Sequence, residues 1–131
     1  MYRQPSYRGG VSKPLIPMRE PTYFILAALI AGPLHGYAII KRSEQMSDGR
    51  VKLATGTLYT ALDRLSAEGY VRLVSEEIVE GRIRRSYGLT DAGSVAVRAE
   101  AQRMAEAARL IIGRAAPEVQ TRLRARRPRT A

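Results

Sequence analysis

LATGTLYTALDRLSAEGYVRLVSEEIVEGRIRRSYGLTDAG, residues 53 to 93, is the stretch on which the fold turns. Leu58, Ala61, Leu62 and Leu65 recur at helical spacing, which predicts a helix with one apolar face. Gly69 stands where a left-handed C-terminal cap would end that helix. The next residues alternate instead. Val71 and Leu73 are expected to point one way and Arg72 the other, and in the following run Ile83, Tyr87 and Leu89 oppose Arg82, Arg84 and Ser86. A glycine-capped helix, an arginine-rich hairpin and the start of another helix, in that order, predict a mainly α protein with a small β-hairpin wing: a winged helix-turn-helix. Such an arrangement lays one element in the major groove of a duplex and the other across a neighbouring phosphate backbone.

Working outward, the segment before it predicts two more helices. The first is expected to begin near Pro21-Thr22, with Thr22 as its cap, and to end before Gly32-Pro33. The second, from about Gly36 to Met46, is expected to turn Tyr37, Ile40 and Met46 inward and leave Lys41, Arg42 and Glu44 in solvent, until Asp48-Gly49 breaks it. On the other side, Thr90 can cap a final helix whose first turn carries Asp91 at the positive end of the dipole. Along it Val97, Ala101, Met104, Ala108, Ile111 and Ala115 recur at steps of four and three, the seam of a coiled coil. From Thr90 to Ala115 such a helix runs roughly 39 Å, too long to pack only on so small a core. A homodimer is therefore expected, the alternative being an amphipathic helix folded back on its own domain. The domain reading is a basic, disordered extension over 1–20, a winged helix-turn-helix over 21–89, a long C-terminal dimerisation helix over 90–116 and a basic, disordered tail over 117–131.

Charge supports this division. The net charge is +10 over 131 residues, but Arg3, Arg8, Lys13 and Arg19 against Glu20 give +3 at the start, and six arginines against Glu118 give +5 after residue 113. The remaining 93 residues carry only +2, so the folded part must bind through local patches rather than bulk charge. The chain has no cysteine and one histidine, His35. That composition excludes a disulfide framework, cysteine-rich zinc sites and thiol catalysis. It gives no support to imidazole metal clusters or to a Ser-His-Asp triad, and no phosphate-cradling glycine loop or paired carboxylates suggest an enzyme or a cofactor. His35 reads as a turn or capping residue. The apolar run Tyr23 to Ala31 is far short of the ~20 residues that span a bilayer, so no membrane partner is expected and a cytoplasmic, nucleoid-associated protein is the default.

Three segments resemble one family, the PadR-like transcriptional regulators. ILAALIAGPLHGYAIIKR at 25–42 is similar to its opening helices with their His-Gly-Tyr turn, GTLYTALDRLSAEGYV at 56–71 to its recognition helix, and RRSYGLTDAG at 84–93 to its second wing strand leading into the dimer helix. The resemblance covers roughly residues 21 to 113. It implies a homodimeric repressor that binds a near-palindromic operator in double-stranded DNA and is often released by a small-molecule effector held between the subunits. Departures are visible too. Ala54 stands where the family commonly has a Ser or Asn cap, which leaves capping to Thr55 or water. Thr60 replaces a frequent proline, and Ser86 the first of two tyrosines. Met104 occupies about the place of the tryptophan with which multidrug-binding members stack flat aromatics.

The candidate DNA contacts are Thr55, Gly56, Thr57, Tyr59, Thr60 and Arg64 on the recognition helix and Arg82, Arg84 and Arg85 on the wing. With the leucine face inward, Gly56, Thr60, Asp63 and Ala67 point outward, and Thr60 is expected over the groove floor, where its hydroxyl and methyl can both meet bases. Gly56 lets a bare amide approach a phosphate, or is simply a turn residue. Arg64 can clamp a guanine or a phosphate, or merely form a surface salt bridge. Tyr59 can reach a phosphate or pack under the wing. Asp63 has no assigned role. Arg82 and Arg84 share one face, Arg85 can bend toward the backbone, and Glu76, Glu77 and Glu80 are expected to make the tip acidic. Lys41, Arg50 and Lys52 flank the helix. Two other functions fit the same pattern: a winged-helix scaffold for a protein partner, and a nonspecific nucleoid protein driven by its arginine tails.

Overall fold

Helix α1 (Glu20–Ala28) leads through a short strand β1 (Leu34–His35) into α2 (Gly36–Met46) and α3 (Thr55–Ala67). The hairpin β2 (Val71–Val79) and β3 (Arg82–Leu89) follows, and α4 (Asp91–Ile112) ends the series. The computed structural model describes residues 18–113, so the expected arms over 1–17 and beyond 113, and Ala115 with them, lie outside the described residues. Two compact units, residues 1–100 and 101–131, divide within α4.

The core of the first unit is built from the predicted leucine face. Leu58, Leu62 and Leu65 of α3 are buried with Ile25, Leu26 and Leu29 at the end of α1, Ile39 of α2, Val71 and Tyr87 of the hairpin and Val97 of α4. Each such aliphatic side chain removed from water contributes about 1.5–3 kcal/mol. α3 ends as expected: Gly69 takes φ 85, and the amide of Tyr70 donates to Leu65 O at 2.9 Å. α4 begins as expected, since the Thr90 hydroxyl accepts from Gly93 N at 3.0 Å and donates to Gly69 O at 2.6 Å. One threonine thus caps α4 and fastens it to the end of α3.

Four local expectations are corrected. Thr22 does not cap α1: the cap position is Arg19, with Pro21 inside the first turn, and Thr22 instead accepts a hydrogen bond from Arg64. On α2, Tyr37 and Met46 are exposed, and the inward residues are Gly36, Ile39 and Ser43. That face is chosen by close approach more than by apolarity. Gly36 lies so tightly under the ring end of Tyr59 that a Cβ there would overlap it, and the Ser43 hydroxyl donates to Phe24 O at 3.3 Å, which satisfies it in the interior. The sheet also has three strands, in the order β1-β3-β2, all antiparallel, with Leu34 opposite Tyr87 and His35 opposite Ser86; β1 is too short for any alternation to mark it. Finally, Glu76 and Glu77 are not at the wing tip. A bulge at Val74 shifts the register so that Glu76 faces Arg85 and Glu77 faces Arg84 across the strands, and the turn itself is Glu80-Gly81 at φ 54 and 78, the two left-handed residues of a hairpin turn.

Candidate nucleic-acid interface

The outer side of α3 is what remains once Leu58, Leu62 and Leu65 are turned inward. Thr55, Gly56, Thr57, Thr60, Asp63 and Arg64 are all exposed. The helix starts at Ala54, whose methyl cannot accept a hydrogen bond, and no side chain caps it. The expected transfer of capping to Thr55 does not occur. The first amides of α3 therefore point outward without a side-chain acceptor, at the end where the helix dipole is positive.

Two of the predicted contacts on α3 are engaged within the chain. Arg64 reaches back to the Thr22 hydroxyl at 3.0 Å and forward to Glu68 at 3.5 Å. Tyr59 is half-buried over Gly36, with its ring 6.3 Å from that of Tyr87, the packing position under the wing. Burial raises the Tyr87 phenol above its ordinary pKa, and the neighbouring Tyr59 pushes it the same way.

On the wing, Arg85 lies on the face of Ile83 and Tyr87, turned toward α3 rather than away from it. Its Nε donates to Glu76 at 2.6 Å, and this hydrogen bond, with the carboxylate's charge, makes the guanidinium more basic than usual. Both partners are well exposed, so the pair contributes little to stability. Arg82 and Arg84 occupy the opposite face, opposite Val79 and Glu77 in register. Among the described residues Arg72, Arg82 and Arg84 form no ion pair, whereas Arg50 is paired with Glu20 and Lys52 lies 3.9 Å from Glu44. Arg72, Arg82 and Arg84 on the wing are thus open to an outside anion, whereas Arg50 and Lys52 beside α3 are engaged.

The residues of the α4 seam divide. Val97 is buried in the core of its own chain at 3% exposure, so its side chain is covered without a partner. Ala101 is half-buried, and Met104, Ala108 and Ile111 are exposed, as are Leu110 and Ile112. The contacts that the sequence did not reveal are Thr22 as the anchor of Arg64 and Tyr37 as a surface aromatic.

A three-helix unit with a two-stranded wing leading into a further helix defines the winged helix-turn-helix class. Comparison with known proteins narrows it. Residues 25–99 match the model of the transcriptional regulator PadR-like family. Over 72 residues the chain is 39% identical to the transcriptional regulator Rv3488 of Mycobacterium tuberculosis, and over 94 residues 43% identical to a 37.1 kDa protein in transposon TN4556 of Streptomyces fradiae. Those alignments take in 54% and 72% of this chain, but only 65% and 26% of the two relatives. Among solved structures, a transcriptional regulator from Clostridium thermocellum superposes with a TM-score of 0.57 at 27% identity, over 70% of this chain and 88% of that one. Bacillus subtilis PadR in complex with operator DNA superposes at 0.55 with 28% identity, over 63% and 46%. The chain belongs to the PadR-like family of transcriptional regulators.

Proposed function

We propose that this regulator is a homodimeric, sequence-specific repressor that binds a near-palindromic operator in double-stranded DNA and is released from it by a small-molecule effector held between the subunits. The observation that carries the DNA reading is the exposed, uncapped start of α3 beside a wing whose outer arginines, Arg82 and Arg84, have no ion-pair partner among the described residues. Amides at a helix start and unpaired guanidiniums are both phosphate ligands, and a structural relative, Bacillus subtilis PadR, was crystallised with operator DNA. Thr55, Gly56 and Thr57 would then hold a phosphate through the backbone and Thr60 would face the bases. Arg64 and Arg85 are already engaged with Glu68 and Glu76, so to touch DNA each must exchange a carboxylate for a phosphate. Tyr59 serves as support for the wing. The exposed Met104, Ala108 and Ile111 supply the dimer seam, and Ala101 extends it on the same helix. On this reading the chain works in the cytoplasm, on the nucleoid.

The test is selection of bound duplexes from a random pool by the full-length protein, followed by titrations at several salt concentrations. The expected motif has dyad symmetry with half-sites about 10 base pairs apart or a multiple of that. Thr60→Ala should relax the motif. Arg82→Ala with Arg84→Ala should weaken all duplexes alike and lower the salt slope by about one for each phosphate no longer neutralised. A motif without a dyad, or a wing variant that changes the motif while the Thr60 variant does not, overturns this docking.

A further inference from the structure

The outer side of α3 carries a charge of the wrong sign for DNA. Gly56, Thr60 and Asp63 follow one another along the side opposite Leu58, Leu62 and Leu65, and all three are exposed. Asp63 presents a carboxylate that has no ion-pair partner among the described residues. The helix gains nothing from it, since aspartate is among the poorer residues for a helix interior. The core gains nothing either, because the side chain lies in solvent.

The nearby arginines leave that charge standing. Arg64, the next residue, turns to the Thr22 hydroxyl at 3.0 Å and to Glu68 at 3.5 Å. Arg85 on the wing donates to Glu76 at 2.6 Å. The Tyr87 phenol feels the balance: burial and Tyr59 raise its pKa most, Arg85 lowers it, and the charges of Asp63 and Glu76 raise it again. Two carboxylates and one guanidinium therefore lie within electrostatic reach of Tyr87, where α3 meets the wing. A phosphate is not attracted to that place.

A carboxylate brought against a duplex must find a donor there or stay desolvated and unpaired. In the major groove the donors are amino groups, N4 of cytosine and N6 of adenine. The two are not equivalent. The adenine amino group stands beside N7 of its own ring, so a carboxylate oxygen on N6 brings the second oxygen against that lone pair; the cytosine amino group stands beside the C5 carbon, which repels nothing. We infer that Asp63 is a specificity-determining residue, which accepts a hydrogen bond from the N4 amino group of one cytosine in each half-site and rejects pairs that present an acceptor there. The inference rests on the proposed DNA-binding function and deepens it by naming a base and by adding rejection to attraction. Three residues of helix rise about 4.5 Å, a little more than the ~3.4 Å between base pairs. The cytosine therefore lies one or two pairs from the base that Thr60 faces.

The experiment takes the full chain, Asp63→Ala and Asp63→Asn through selection from a random pool of duplexes. Each protein is then titrated on the wild-type site, on that site with the selected cytosine changed to thymine in both half-sites, and on a scrambled duplex. The wild type should fix cytosine at one position of each half-site and lose roughly tenfold or more on the thymine site, because thymine keeps the pyrimidine shape but puts the acceptor O4 where the donor stood. Asp63→Ala should treat the cytosine and thymine sites alike and bind the scrambled duplex roughly two- to fivefold more tightly, the scale of one exposed charge pair. Asp63→Asn can donate as well as accept, so it should tolerate both sites too. Equal urea midpoints for the three proteins show that the variants fold alike. If the wild type enriches a dyad motif with no fixed cytosine, or if both variants keep the wild-type motif, the inference is refuted and the function stands. If the position that Asp63→Ala relaxes is an adenine, the discrimination argued from N7 is wrong and the inference falls. If the wild type enriches no motif, the function is refuted and this inference with it.

Discussion

Replacing Gly93 with alanine is expected to destabilise the domain even though alanine is the better helix former. Gly93 is the third residue of α4, buried, and its amide donates to the Thr90 cap. A Cβ built there would overlap the carbonyl oxygen of Tyr70 and stand 3.2 Å from Leu89 Cδ2. The obstacle is backbone, not the tip of a flexible side chain, so the helix start or the turn at Tyr70 must shift. That carbonyl also accepts from Thr90 N at 3.1 Å, a bond worth about 1 kcal/mol that the shift would weaken. Overpacking adds about 1–3 kcal/mol, and the gain in helix propensity returns at most about 1 kcal/mol. The net loss is about 2 kcal/mol, which for a domain of this size lowers Tm by about 8 to 16 °C. Thermal and urea unfolding at one fixed protein concentration would measure it, with Gly56→Ala as the control, since nothing lies within 4 Å of a Cβ at that position. The control should be neutral or slightly stabilising. A Gly93→Ala protein that melts at or above the wild-type temperature would show that α4 is not seated on the Tyr70 carbonyl as described.

Two further outcomes are expected. Because burial raises the Tyr87 phenol, the folded state prefers it neutral; its favourable contribution is intact below the unfolded pKa of about 10 and is lost as pH rises through the folded value. Tyr87→Phe should therefore lose less stability between about pH 9 and pH 11 than the wild type does, measured by urea midpoints, and equal losses in the two proteins would remove Tyr87 as the cause. If the proposed dimer forms through α4, Met104→Glu together with Ile111→Glu should give monomers in sedimentation, since both residues are exposed there and a charge cannot be buried unpaired in such a seam; a double variant that stays dimeric with wild-type affinity would refute that interface.

The elements legible in the sequence are those whose burial is written in large apolar residues. Leu58, Leu62 and Leu65 mark α3 without ambiguity, and Gly69 and Thr90 mark boundaries because their chemistry suits few other positions. The inward face of α2 is illegible for the converse reason. Ile39 and Ile40 are adjacent and leave two faces open, and the choice between them falls to Gly36 and Ser43, whose smallness matters only because α3 and α1 come close. The bulge at Val74 leaves no trace either. An unbroken alternation from Val71 would send Glu76 outward, and it is the one extra residue that turns Glu76 onto the face of Arg85. Of the candidate site, the exposed side of α3 and the outer wing arginines can be read from periodicity. The engagement of Arg64 with Thr22 cannot, because it joins residues 42 apart in sequence.

The bare start of α3 leaves stability unused. Serine at position 54 would cap the helix and is expected to stabilise the protein by about 1 kcal/mol. The same hydroxyl would take up one of the first amides and leave the others open at the positive end of the dipole. A screen for thermal tolerance should therefore enrich Ala54→Ser, and because the remaining first amides stay open, operator occupancy should survive the change.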